Sequence, residues 1–99
     1  MSPYEAMVRL RVEQIKDPDA RPIDYIIMIA GDPDHGVLVL NVDAPTGHPH
    51  KYKAMIHVRV TQPTKFWPIE PKDYLRINLT DEDFGVVVED VRILPPKVN

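Results

Sequence analysis

Apolar and polar residues alternate along most of this chain. Between residues 51 and 61, Tyr52, Ala54, Ile56, Val58 and Val60 alternate with Lys51, Lys53, Met55, His57, Arg59 and Thr61. A period of two sends successive side chains to opposite faces, which is the pattern of a half-buried strand. The same pattern runs through 6–15, with Ala6, Val8, Leu10 and Val12 on one face and Arg9, Arg11 and Glu13 on the other. Residues 74–79 read as a further strand, with Leu75, Ile77 and Leu79 inward and Tyr74, Arg76 and Asn78 outward. Residues 86–94 read as the last, interrupted at Glu89-Asp90, where a bulge is expected. Two segments, 23–30 and 37–42, are apolar almost throughout, and the turn Gly31-Asp32-Pro33-Asp34-His35-Gly36 between them predicts a hairpin.

No window shows apolar residues at helical spacing over three turns, and no internal repeat or low-complexity segment is evident. Thr80 before Asp81-Glu82-Asp83 is a capping signal for at most one short helical turn, ended by Gly85. The expected fold is therefore all-β: about six antiparallel strands in a small barrel, resembling the oligonucleotide-binding type in its strand spacing, or in a β-sandwich. A chain of 99 residues makes one domain, 1–99, with short flexible ends at 1–5 and 95–99.

Strands apolar on both faces are usually covered on both. With no helix expected, either Phe66, Trp67 and the tail cover 23–30 and 37–42, or a second copy does. The second reading makes Tyr25, Ile27, Ile29, Val37 and Val39 a self-association surface, most simply of a homodimer.

Composition narrows the function classes. There is no cysteine, and the only serine is Ser2, so the usual Ser and Cys nucleophiles are missing and the fold does not rely on disulfides. No glycine-rich phosphate loop occurs. The expectation is a non-enzymatic protein with no cofactor and no catalytic residue. No secretory leader opens the chain and the longest apolar run is 25–30, so a cytoplasmic, non-membrane setting is expected. Eleven prolines against four glycines stiffen the loops, as in heat-stable proteins.

Charge is unevenly spread. Residues 44–69 contain no acid and carry +4, in a chain whose net charge is −3. On outer strand faces, Arg9, Arg11, Lys51, Lys53, His57, Arg59 and Arg76, with Tyr74 and Trp67 as stacking partners, form a candidate face for single-stranded nucleic acid. The net negative charge favours a plain solvated face instead. His48 and His50, two apart, would bind metal only if they met Asp32, Asp34 and His35, and no metal site is assigned. The alternative function is a self-associating structural or protein-interaction domain, for example a small viral or accessory subunit. Cations gathered on one concave surface would favour ligand binding. A surface neutralised by neighbouring acids would favour the interaction domain.

Overall fold

The computed structural model describes residues 3–13, 19–62 and 68–96. Four strands form one antiparallel sheet: β1 (Tyr4–Val12), β2 (Val37–Asp43), β3 (Tyr52–Val60) and β4 (Val86–Ile93), in the order β2-β3-β1-β4. Two helices, α1 (Pro22–Ala30) and α2 (Pro71–Leu79), lie on one face. The connectivity β1-α1-β2-β3-α2-β4 with this strand order is the split βαβ arrangement called ferredoxin-like. The protein is mostly β and antiparallel, as the alternation predicts. It is an open sheet of four strands, however, and neither a closed barrel nor a six-stranded fold.

The two missing strands are the helices. Residues 23–30, expected as a strand, and 74–79, expected as another, are α1 and the greater part of α2. Each helix opens with proline at its first turn, where the absent N–H costs nothing, and each carries an aspartate there, Asp24 or Asp73, favoured by the helix dipole. In α1 the buried residues are Pro22, Tyr25, Ile26 and Ala30, and in α2 they are Tyr74, Leu75 and Leu79. That is i, i+3, i+4 spacing, which strand geometry cannot bury together. The expected hairpin turn at 31–36 instead joins α1 to β2 through a 3₁₀ turn, Pro33–His35. Asp81, not Thr80, caps the second 3₁₀ turn, Glu82–Phe84, accepting a bond from the Phe84 amide at 3.3 Å. β1 begins at Tyr4, so Tyr4 and Glu5 belong to the sheet and not to a loose end.

The fold also reveals an internal duplication, contrary to the expectation of no repeat. Tyr4-Glu5-Ala6-Met7-Val8-Arg9-Leu10-Arg11-Val12 of β1 matches Tyr52-Lys53-Ala54-Met55-Ile56-His57-Val58-Arg59-Val60 of β3 at a constant offset. Beyond one extra residue in the second connection, Pro22, Asp24, Tyr25, Asp32, Asp34, Gly36, Val37, Val39 and Val42 match Pro71, Asp73, Tyr74, Asp81, Asp83, Gly85, Val86, Val88 and Val91. Backbone bonds repeat with the residues. The Thr61 amide donates to the Gly36 carbonyl at 2.8 Å, and the Glu13 amide to the Gly85 carbonyl at 2.8 Å. Asp32 bridges Val37 as Asp81 bridges Val86. Each outer strand has one bulge, centred on Leu40 in β2 and on Glu89 in β4. The bulge expected at Glu89-Asp90 is thus present, and it has a twin. Val8 pairs with its own equivalent, Ile56, so the pseudo-two-fold axis passes between them.

The core lies between sheet and helices. Ala6, Val8, Leu10 and Val12 of β1 and Ala54, Ile56, Val58 and Val60 of β3 form its floor, and Tyr25, Ile26, Leu75 and Leu79 its roof. The Tyr25 hydroxyl donates to the Phe84 carbonyl at 2.6 Å, tying α1 to the second half.

Gly36 is one residue that this geometry does not allow to change. Its φ is +73°, and a Cβ there would stand 2.6 Å from the Thr61 hydroxyl oxygen. Left-handed backbone costs a side chain about 1–2 kcal/mol, and the close approach adds to that. Gly47 has φ +79° with nothing within 4 Å of a Cβ. Gly36→Ala should therefore lower unfolding free energy by about 2 kcal/mol or more in a urea titration, with Gly47→Ala losing only the backbone part.

Candidate interaction surfaces

Among the described residues, no helix covers the second sheet face. β1 presents Glu5, Met7, Arg9 and Arg11 there, and β3 presents Lys53, Met55, His57 and Arg59, because their neighbours in sequence are the buried ones. Arg9, Arg11, Lys53, His57 and Arg59, expected on one face from alternation alone, do lie together on it. Arg92 of β4, opposite Met7, joins them and was missed because the strand order could not be read.

Acids interleave with these cations. Glu5 Oε1 lies 2.6 Å from His57 Nε2. Arg11 reaches Glu13 at 2.7 Å and Glu89 at 3.4 Å, and Lys53 lies 3.6 Å from the same Glu89. Arg9, Arg59 and Arg92 have no acid within ion-pair distance among the described residues. Partly buried at Glu5 and Glu89, these pairs lower the charge a ligand would meet. A shallow hollow of about 280 Å³ lies on this face between Arg9, Lys53, Met55, Asp43 and Pro45.

Several expected site residues are elsewhere. Tyr74 is buried under α2 on the opposite side of the sheet, so it is no stacking platform for this face. Arg76 sits on α2, where its Nη1 donates to the Val88 carbonyl of β4 at 3.4 Å. Both were displaced because a helix was read as a strand. Lys51 is exposed in the bend just before β3, and Trp67 lies outside the described residues. Of the expected self-association set, Tyr25 and Val37 are buried in this chain's own core and Ile29 and Val39 are half-buried against it, leaving Ile27 exposed. His48 and His50 are exposed in the loop before β3, and no group of three metal-binding side chains forms among the described residues. His35 Nδ1 is 2.7 Å from Asp32 Oδ2. No helix among the described residues is long and apolar enough to cross a membrane.

Among the described residues, five of the seven exposed large apolar side chains lie in the first half, with Ile69 and Ile77 in the second. Ile23, Ile27 and Met28 of α1 and Leu38 and Leu40 of β2 are each two-fifths to just over half exposed. The duplication supplies an internal reference for them. The equivalents of Ile23, Ile27 and Leu40 in the second half are Lys72, Arg76 and Glu89. At these three positions one copy carries charge and the other an apolar side chain, whereas Met28 and Leu38 keep apolar equivalents, Ile77 and Val87. Packing does not require the apolar version, since the same position on the same fold is filled by charge. Ile27 also leaves a gap at the sheet edge. Alternation along β2 and β4 turns the backbone groups of Val37, Val39, Val86 and Val88 outward. Val37 and Val86 are bonded by Asp32 and Asp81, and the Val88 carbonyl by Arg76. Ile27, in place of Arg76, cannot donate, and no described residue bonds the outward groups of Val39. No known family, curated protein or solved structure matches the chain.

Proposed function

We propose that this protein is a non-enzymatic interaction module that works by associating with protein through the flank made by α1 and β2. The observation that carries this reading is the comparison within the chain: Ile23, Ile27 and Leu40 stand where the second copy of the unit carries Lys72, Arg76 and Glu89. Exposed apolar surface in excess of what a fold needs marks a contact surface. The interleaved acids on the open face favour the same reading, because they neutralise Arg11, Lys53 and His57 where a polyanion would need them free.

A second reading, binding of single-stranded nucleic acid to the open face, is favoured by Arg9, Arg59 and Arg92, which face solvent without acidic partners among the described residues. Three phosphate contacts would give log K a slope of about −2 against log salt for a single strand. No aromatic side chain of the described strands lies on that face to stack on bases, so sequence preference would be slight.

One pair of measurements separates the two. Sedimentation velocity over a micromolar concentration series should show reversible association of the parent that persists in Arg9→Glu/Arg59→Glu. Titration of labelled single-stranded DNA and RNA at two salt concentrations should show no binding that this charge reversal removes. A monomer at every concentration, with salt-sensitive binding abolished by the reversal, would replace the interaction reading by the nucleic-acid one.

A further inference from the structure

We infer that the partner on the α1–β2 flank is a second copy of this chain, docked with β2 antiparallel to β2 about a two-fold axis, so that two open sheets join into one of eight strands. The inference rests on the interaction reading above and names the partner and its orientation.

The flank has the properties of a self-complementary surface. Its apolar side chains, Ile23, Ile27, Leu38 and Leu40, line both sides of the β2 edge, Ile23 and Ile27 on the helix side and Leu38 beside Arg59 on the open face, and none of them carries a charge that would select a different partner. Asp43 is the only ionisable residue of β2. Identical strands meet about a two-fold only in antiparallel fashion, and an apolar strip facing its own copy creates no like-charge repulsion. The other edge cannot do the same. β4 carries Glu89, Asp90 and Arg92, and Arg76 already occupies the Val88 carbonyl. Charged residues on an outer strand are a recurring block to edge pairing. The two edges share one backbone plan, yet only β4 is blocked in this way.

Size sets what to expect. Four side chains, each two-fifths to one-half exposed, offer roughly 300 Å² of apolar surface per protomer, in the range of a functional patch. Doubled, at the usual apolar share of an interface, this corresponds to a total of about 1,000 Å², the lower bound for a specific complex. The Leu40 bulge and the Asp32 bridge shorten the free edge, so the strands exchange few backbone bonds. The dimer is therefore a reversible one in the micromolar range. In it the cation rows of the two sheets, Arg9 and Arg59 included, become one continuous surface.

Spin-label distances test the orientation. The chain has no cysteine, so one introduced at Asn41 or at Asp90 gives a unique label. Both positions are exposed and occupy equivalent places on β2 and β4. Adjacent strands lie about 5 Å apart, so paired β2 edges put the Asn41→Cys labels within about 20 Å of each other, whereas the Asp90→Cys labels on the two far edges stand more than about 30 Å apart. A short distance for the first label and a long one for the second, both lost on dilution, is the expected result. Association with a short distance at Asp90→Cys, or with none at Asn41→Cys, would overturn this docking while leaving the interaction module standing. Monomers at every concentration would overturn both.

Discussion

Leu75→Ala should cost about 2–5 kcal/mol of stability, whereas Ile77→Ala, two residues on, should change it by less than about 0.5 kcal/mol. The two side chains would be equivalent on a strand, both on its inner face. On α2 they are not: Leu75 is fully buried and Ile77 is 70% exposed. Truncating Leu75 removes apolar contact and leaves a cavity between α2 and β4, while Ile77 already meets water. Urea unfolding of both variants gives the difference directly. Equal losses would return residues 74–79 to a strand and dissolve the duplication with it.

Alkali should unfold the protein steeply between pH 10 and pH 12. Burial pushes the phenols of Tyr4, Tyr52 and Tyr74 up to about 12 from 10.0, with smaller contributions from Tyr25 beside Tyr52 and from Asp32 and Tyr4 beside Tyr74. A buried phenol is favoured neutral in the fold, so the unfolded chain gives up its protons first. Stability is then untouched below pH 10 and falls as pH rises toward 12, because the unfolded state binds fewer protons there. Halved for solvent near the hydroxyls, the three groups lose about 4 kcal/mol over that interval, comparable to a small domain's whole stability. Phenolate absorbance should therefore rise together with the loss of circular dichroism. Tyr52 offers a check of opposite sign. Its hydroxyl is buried with no hydrogen-bond partner among the described residues, so Tyr52→Phe should raise stability at neutral pH by about 1 kcal/mol and reduce the alkaline loss. Phenolate formation well before unfolding would show that these hydroxyls are open to water.

The strands that alternate were legible in the sequence, and so was the bulge at Glu89. β1 and β3 are central, with one side-chain row buried and the other partly exposed, and the half-buried condition writes a period of two into them. The helices were not legible, for two separate reasons. In α1 the outward positions Ile23, Ile27 and Met28 are as apolar as the inward ones, which erases the polar stripe that marks a helix. In α2, Leu75, Ile77 and Leu79 fall two apart by chance, and nine residues are too few turns to show the longer period. The repeated signals were present: a proline two residues before Asp-Tyr, then Asp-x-Asp-x-Gly-Val, once in each half. Aligning those would have exposed the duplication, moved Tyr74 and Arg76 off the basic face, and singled out Ile23, Ile27 and Leu40. Two of the apolar residues that hid α1, Ile23 and Ile27, are now assigned to a partner. The alternation that turns Arg9, Arg11, Lys53, His57 and Arg59 to one face was legible, but the acids that answer them come from Glu5, Glu13 and Glu89, and only the pairing of strands brings the last of these beside Lys53.

The chain's own second half supplies the substitutions for the decisive measurement. Ile23→Lys/Ile27→Arg/Leu40→Glu gives the first flank the residues that the second flank already carries on the same backbone. Sedimentation equilibrium of parent and variant, with melting curves beside them, tests whether the flank is a contact surface. The account predicts a variant that melts no lower than the parent at dilutions where the parent is monomeric, since exposed substitutions cost little, and that stays monomeric wherever the parent associates. A variant that associates as the parent does would contradict it, and so would one that fails to fold, because Ile23, Ile27 and Leu40 would then belong to the core and not to a partner.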